Sequence, residues 1–107
     1  MSTLLRGPAV VVASVCVMLC GATAAQDFTP QQIRKGADIY GQNCAPCHGP
    51  RMLDPSSAFD LRTFPADQKS RFVRSVTKGL NSMPPWGDIL KPEDVEALWA
   101  YVRAGER

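Results

Sequence analysis

The chain has 107 residues, 12 Lys plus Arg against 10 Asp plus Glu, a net charge of +2 and 45% hydrophobic residues. That length bounds it to one small domain. With no basic stripe and no interleaved aromatics it is not a nucleic-acid binder, and beyond its amino terminus no segment is apolar enough to enter a membrane.

The first element in chain order is MSTLLRGPAVVVASVCVMLCGATAAQD. Arg6 precedes an apolar run from Ala9 to Leu19, small residues fill Gly21 to Ala25, and the first acid is Asp27. This is the layout of a cleavable export signal, and the run falls short of the about 20 apolar residues of a membrane span. Ala22-Thr23-Ala24 meets the small-x-small cleavage rule, and a cut after Ala25 fits nearly as well. The expected organisation is a signal peptide over 1–25 and one domain over 26–107. Cys20 follows Met18-Leu19 rather than small residues, which argues against lipidation. Removing 25 residues from 107 leaves 82, a size at which a core alone is marginal and a staple or cofactor usually contributes. The segment takes Arg6 with it, leaving 11 basic residues against 10 acids and a net charge of +1. Only Cys44 and Cys47 remain, and a disulfide between them closes too small a loop to stabilise much.

Three helices are predicted in that domain. The first runs from Thr29 to about Asn43, with Thr29 as N-cap and Pro30 at the first helical position. Ile33, Ala37 and Tyr40 recur at helical spacing, and Gly36 beside them suggests a close helix crossing. The second runs from about Ala66 to Lys78, with Asp67 near its start and Gly79 as its stop. Its apolar face is Phe72, Val73 and Val76; Lys69, Arg71, Arg74 and Lys78 face outward. The third runs from about Pro92 to Ala104, and Val95, Leu98, Trp99 and Val102 form its stripe. The connections, Gly49 to Pro65 and LNSMPPWGDIL, hold no periodic segment, and Pro84-Pro85 forbids a helix in the second. No alternating strand is found, so the class is all-α. Loops this long in so small a domain are expected to wrap something large and apolar.

The chemistry sits at NCAPCHGP, residues 43–50. A thioredoxin-type dithiol belongs where a strand meets a helix, and there are no strands here. A zinc site needs four ligands, and no second Cys/His cluster exists. The remaining reading of Cys44-Ala45-Pro46-Cys47-His48 is covalent haem attachment. Two thiols spaced by two residues reach the two vinyl groups on one porphyrin edge, and His48 then lies where its imidazole meets the iron. Met83 is the candidate for the opposite axial position. It is separated from His48 by a loop and a helix, whereas Met52, four residues from His48, is expected to pack or lie on the surface. A thioether opposite a histidine raises the potential and suits electron transfer.

On these residues the chain resembles the small class I c-type cytochromes over essentially all of 26–107. Gly36 and Tyr40 on the first helix, with Leu98, Trp99 and Val102 on the last, match that family's crossing contact. MPPWGD and LWAYV look like the cytochromes that serve periplasmic quinoprotein alcohol dehydrogenases. The resemblance implies a fold of three main helices with long loops wrapped around one haem c, attached through Cys44 and Cys47 and ligated by His48 and Met83. It implies a proline carbonyl that orients the imidazole; Pro50 and Pro55 compete for that part. Leu53, Phe59, Leu61, Phe64, Phe72 and Val76 are candidates to line the haem. Arg51 and Arg62 are candidates to pair with a propionate, or else are solvated surface arginines. The function implied is a monomeric periplasmic carrier of single electrons in a respiratory chain, with no enzymatic chemistry of its own. Its partners are redox proteins, a dehydrogenase on one side and an oxidase or second cytochrome on the other, docking at the apolar rim near Ala45 and Pro46. The rival readings are an open-site haem protein that binds a small gas or peroxide, a fixed subunit of a dehydrogenase, and a dithiol module without haem.

Overall fold

The computed structural model describes residues 7–16 and 28–106. Residues 7–16 form neither helix nor strand, and the cleavage sites considered at 24 and 25 lie outside the described residues. Among the described residues there are four α-helices: α1 (Pro30–Asn43), α2 (Ala45–His48), α3 (Lys69–Lys78) and α4 (Pro92–Ala104). Two single 3-10 turns, Pro50–Met52 and Leu61–Thr63, lie between α2 and α3. The only β-type pairing among them is an isolated bridge between Leu80 and Met83. No described helix is long and apolar enough to cross a membrane.

α1 starts where its sequence dictates. The Thr29 hydroxyl accepts from the Gln32 N–H at 3.1 Å and the Gln32 side chain accepts from the Thr29 N–H at 3.3 Å, so two otherwise orphaned donors are satisfied. α4 spans the predicted residues. α3 begins three residues later than predicted, because Pro65–Gln68 is spent on a turn: the Gln68 N–H donates to the Pro65 carbonyl at 3.1 Å and Gln68 itself is non-helical at φ −115°, ψ 38°. Asp67 therefore stands outside the helix. α2 and the two 3-10 turns were not anticipated.

The core is built on α4. Val95, Leu98, Trp99 and Val102 are buried as their spacing predicts, and Ala97, Ala100 and Tyr101 are buried with them. α1 covers one side of α4. At Gly36 a β-carbon would stand 2.7 Å from both the Ala97 carbonyl carbon and Tyr101 Cβ, so only glycine lets the two backbones approach. The residues against Gly36 are thus Ala97 and Tyr101, on the α4 face next to the predicted stripe. Tyr40 packs on Tyr101 with ring centroids 5.2 Å apart. α3 supplies Phe72 and Val76 from the other side, and Phe72 lies 5.1 Å from Trp99. Met52 is 1% exposed and belongs to this core.

Ion pairs tie the helices at their edges. Lys35 on α1 meets Asp94 on α4 at 2.9 Å, and Lys69 on α3 meets Glu96 on α4 at 2.6 Å. The Lys35 ammonium, with the Lys91 N–H, holds the Asp94 carboxyl below its ordinary range; Arg51 does the same for Glu106. A lowered carboxyl stabilises the fold above its unfolded pKa, about 4, and that contribution disappears as pH falls through the lower folded value. Melting temperatures measured from pH 7 to pH 3 should therefore fall on the acid side, and Asp94→Asn should flatten that fall. Parallel curves for the two proteins would rule out a contribution from this pair.

Candidate haem-attachment site

The carboxy-terminal end of α1 runs directly into the site. Cys44 caps α1, its N–H donating to the Tyr40 carbonyl at 2.8 Å, and its own carbonyl accepts from the N–H groups of Cys47 and His48 at 3.2 and 2.9 Å. Those bonds make one tight turn, α2, and place Cys44, Cys47 and His48 at i, i+3 and i+4, on one face. Gly49 ends the turn at φ 84°, where a β-carbon would meet the Leu53 and Asp54 carbonyls. The Tyr40 hydroxyl donates to the Gly49 carbonyl at 2.5 Å, which ties the exit of the turn back to α1.

Both thiols are free. Burial, with Cys47 adding to it, pushes the Cys44 thiol up to about 11.

His48 is half-buried and its Nδ1 lies 3.0 Å from the Phe59 carbonyl oxygen. A carbonyl only accepts, so Nδ1 carries a proton, and in the neutral ring Nε2 keeps its lone pair. This corrects the expectation of a proline carbonyl: neither Pro50 nor Pro55 supplies the acceptor. Between His48 and Phe59 the backbone takes positive φ at Arg51, Met52, Asp54 and Ser56. These left-handed residues fold the loop back, and it is Phe59 that arrives at the imidazole.

Met83 lies on a separate element, the loop between α3 and α4, and that loop is pinned to α3 at both ends. Gly79 ends α3 at φ 80°, and a β-carbon there would stand 2.8 Å from the Met83 carbonyl oxygen. Asn81 takes φ 52° in the turn that follows, a conformation asparagine tolerates. Leu80 and Met83 exchange both backbone hydrogen bonds, at 3.1 and 2.9 Å. Past the prolines, the N–H groups of Trp86 and Gly87 donate to the Val76 and Thr77 carbonyls at 2.9 and 3.1 Å, capping the open end of α3. Met83 is half-buried.

The loops that carry the candidate ligands expose apolar side chains: Leu53, Phe59, Leu80 and Ile89 are 43–67% exposed, with Phe59 bonded to His48 through its carbonyl and Leu80 paired with Met83 through the backbone. Of the predicted lining residues, Phe72 and Val76 are in the core, Leu61 and Phe64 are half-buried, and Leu53 and Phe59 belong to this exposed set. Among the described residues no group of three or more His, Cys, Asp or Glu is arranged to hold a metal ion on its own. The two arginines considered for a propionate have partners within the chain. Arg51 donates twice to Glu106, at 3.0 and 2.8 Å, and Arg62 donates twice to Asp60, both at 3.1 Å.

An all-helical domain with a Cys-x-x-Cys-His turn closing its first helix defines a small c-type cytochrome. The chain belongs to the cytochrome c family described as "Cytochrome C oxidase, cbb3-type, subunit III", whose model matches residues 31–102. It is 38% identical over 74 residues to cytochrome c6 of Microcystis aeruginosa, covering 64% of this chain and 91% of that one. It is 35% identical over 80 residues to the quinohemoprotein alcohol dehydrogenase ADH IIB of Pseudomonas putida, covering 72% of this chain but only 12% of that much longer protein. Among solved structures it superposes on the c-type cytochrome KustC0563 with a TM-score of 0.56 at 26% identity, covering 67% of this chain and 98% of that one. The chain is therefore a small class I c-type cytochrome with one covalently attached haem c, an electron-transfer protein.

Proposed function

We propose that Cys44 and Cys47 attach the haem, that His48 Nε2 and Met83 Sδ are its two axial ligands, and that the protein shuttles single electrons in the periplasm. The haem supplies a one-electron ferric–ferrous couple. The observation that carries the reading is the His48–Phe59 bond: it leaves Nε2 free as a ligand on the same face as two free thiols. The pinned Met83 loop supports a second ligand of fixed position, since both backbone polar groups of Met83 are already used. In this reading residues 1–25 direct export and are removed, leaving 26–107 as the cytochrome domain.

The electron comes from a dehydrogenase or respiratory complex and leaves to an oxidase or second cytochrome. Docking is at the rim where Pro46 and Cys47 are exposed and Ala45 is half-buried. Similarity across 91% of a cytochrome c6 supports a free shuttle. The match to a stretch of a quinohemoprotein dehydrogenase favours the second reading, a cytochrome bound to such an enzyme. Co-purification with a dehydrogenase separates the two.

Attachment is tested by exporting the protein alongside a haem-attachment system and extracting it with acidified organic solvent. The wild type should keep its haem on a denaturing gel. The Cys44→Ser/Cys47→Ser double variant should lose all of it. A haem-staining band that survives in the double variant would sink the assignment.

A further inference from the structure

The carbonyl that orients His48 sits in a loop with no regular structure on its upstream side, yet its direction is set. The Phe59 carbonyl belongs to the Phe59–Asp60 peptide plane. Its direction therefore depends only on the Phe59 ψ and the Asp60 φ. Asp60 is held from several directions. Its Oδ1 accepts from the Arg62 N–H and from Arg62 Nε, both at 3.1 Å, and its Oδ2 accepts from the second guanidinium arm at 3.1 Å. Its carbonyl accepts from the Thr63 hydroxyl at 2.8 Å and the Thr63 N–H at 3.0 Å. Asp60 is thereby fixed at φ −72°, ψ 102° as the cap of the Leu61–Thr63 turn. The Phe59 ring meets the Phe64 ring edge-on at 6.0 Å. Phe64 is in turn held by Arg103 on α4, which donates to its carbonyl at 3.2 Å, and by Arg71 on α3, stacked over its ring at 4.6 Å.

We propose that Asp60 and Arg62 are a positioning pair: they aim the Phe59 carbonyl at His48 Nδ1 and thereby set the reduction potential. The proposal rests on His48 being an iron ligand. As a surface ion pair two residues apart, Asp60–Arg62 contributes little to global stability, so its effect is local. A firm Nδ1–H···O bond makes Nε2 a stronger donor and favours ferric iron. Loosening that bond moves the potential in the positive direction.

The competing explanation is simple charge, and the two differ in sign. By charge alone Asp60→Ala raises the potential and Arg62→Gln lowers it. If the pair positions the carbonyl, both variants raise it. Exchange of the His48 Nδ1 proton in the reduced holoprotein, followed by proton–nitrogen NMR, should be at least tenfold faster in both variants. Asp60→Asn keeps the acceptor for the Arg62 N–H and Nε but loses the Oδ2 bond to the second guanidinium arm, so its exchange should fall between the wild type and the other two variants. All three should melt close to the wild type. A lowered potential in Arg62→Gln, or unchanged proton exchange in Asp60→Ala and Arg62→Gln, would overturn the positioning role while leaving the axial assignment intact. A wild-type reduced spectrum of c-type in which the His48 ring shows no iron ligation would instead remove the assignment, and the proposal with it.

Discussion

Replacing Met83 with alanine is expected to turn a closed redox site into an open one. The oxidised holoprotein should lose its thioether-to-iron charge-transfer band, the reduced form should take up carbon monoxide, and the midpoint potential should fall. A thioether opposite histidine raises haem potentials, and axial ligands set them over about 0.8 V, so the drop should be the largest of any single substitution in the chain. The backbone explains why no neighbour compensates. Met83 exchanges both its backbone bonds with Leu80, and Gly79 leaves no room between α3 and the Met83 carbonyl. The loop therefore keeps its path when the side chain is cut. Met52 is the control, since it is also a thioether but lies 1% exposed in the core. Met52→Ala should cost about 2–5 kcal/mol as a buried methionine truncation while the band and the refusal of carbon monoxide persist. If Met52→Ala erases the band and Met83→Ala does not, the axial assignment is wrong. Carbon monoxide binding by the unaltered reduced protein would move the gas-binding reading ahead of the carrier.

Helix positions were legible in the sequence where local signals agree with packing. The Thr29–Pro30 start, the Pro92 start and the Val95–Leu98–Trp99–Val102 stripe each state a boundary or a face in residue chemistry. Gly36 announced a crossing, though not that Ala97 and Tyr101 would stand against it, because spacing gives a face and not a register between helices. The Cys-x-x-Cys-His turn was legible because its chemistry is local. The acceptor for His48 was not. Arg51, Met52, Asp54 and Ser56 take left-handed φ without being glycine, and no local rule expects four such residues in one loop. Two proline carbonyls therefore looked better placed than Phe59. The start of α3 was misplaced for a related reason: Pro65 and Asp67 are equally good opening residues for a turn and for a helix. The Arg51–Glu106 pair joins residues 55 apart in sequence, a separation at which only the folded chain brings partners together.

Gly36 and Gly41 lie on the same helix, and alanine at the two positions should act in opposite directions. At Gly41 nothing stands within 4 Å of a new β-carbon. Gly41→Ala should therefore gain the helix propensity difference, up to about 1 kcal/mol. Such a gain raises the melting temperature by about 4–8 °C in a domain of this size. At Gly36 the same propensity gain is available, but the β-carbon would meet the Ala97 carbonyl carbon and Tyr101 Cβ, each at 2.7 Å. Ala97 presents backbone there and Tyr101 a β-carbon fixed to it, so no rotamer change relieves the contact and α1 must move off α4. Overpacking of a tight core costs about 1–3 kcal/mol, and with the whole crossing displaced we expect the upper end. The net loss should be about 2 kcal/mol, or a fall of about 8–16 °C. Thermal unfolding of the two holoproteins side by side measures both signs at once. A rise for both would mean that the helices have slack at Gly36 and that the crossing does not depend on glycine. The consequence reaches the site, because α1 ends in Cys44 and its Tyr40 hydroxyl holds the Gly49 carbonyl. Moving α1 off α4 also parts Tyr40 from Tyr101, whose rings now pack 5.2 Å apart. The crossing glycine thus carries the position of the attachment turn as well as the stability of the fold.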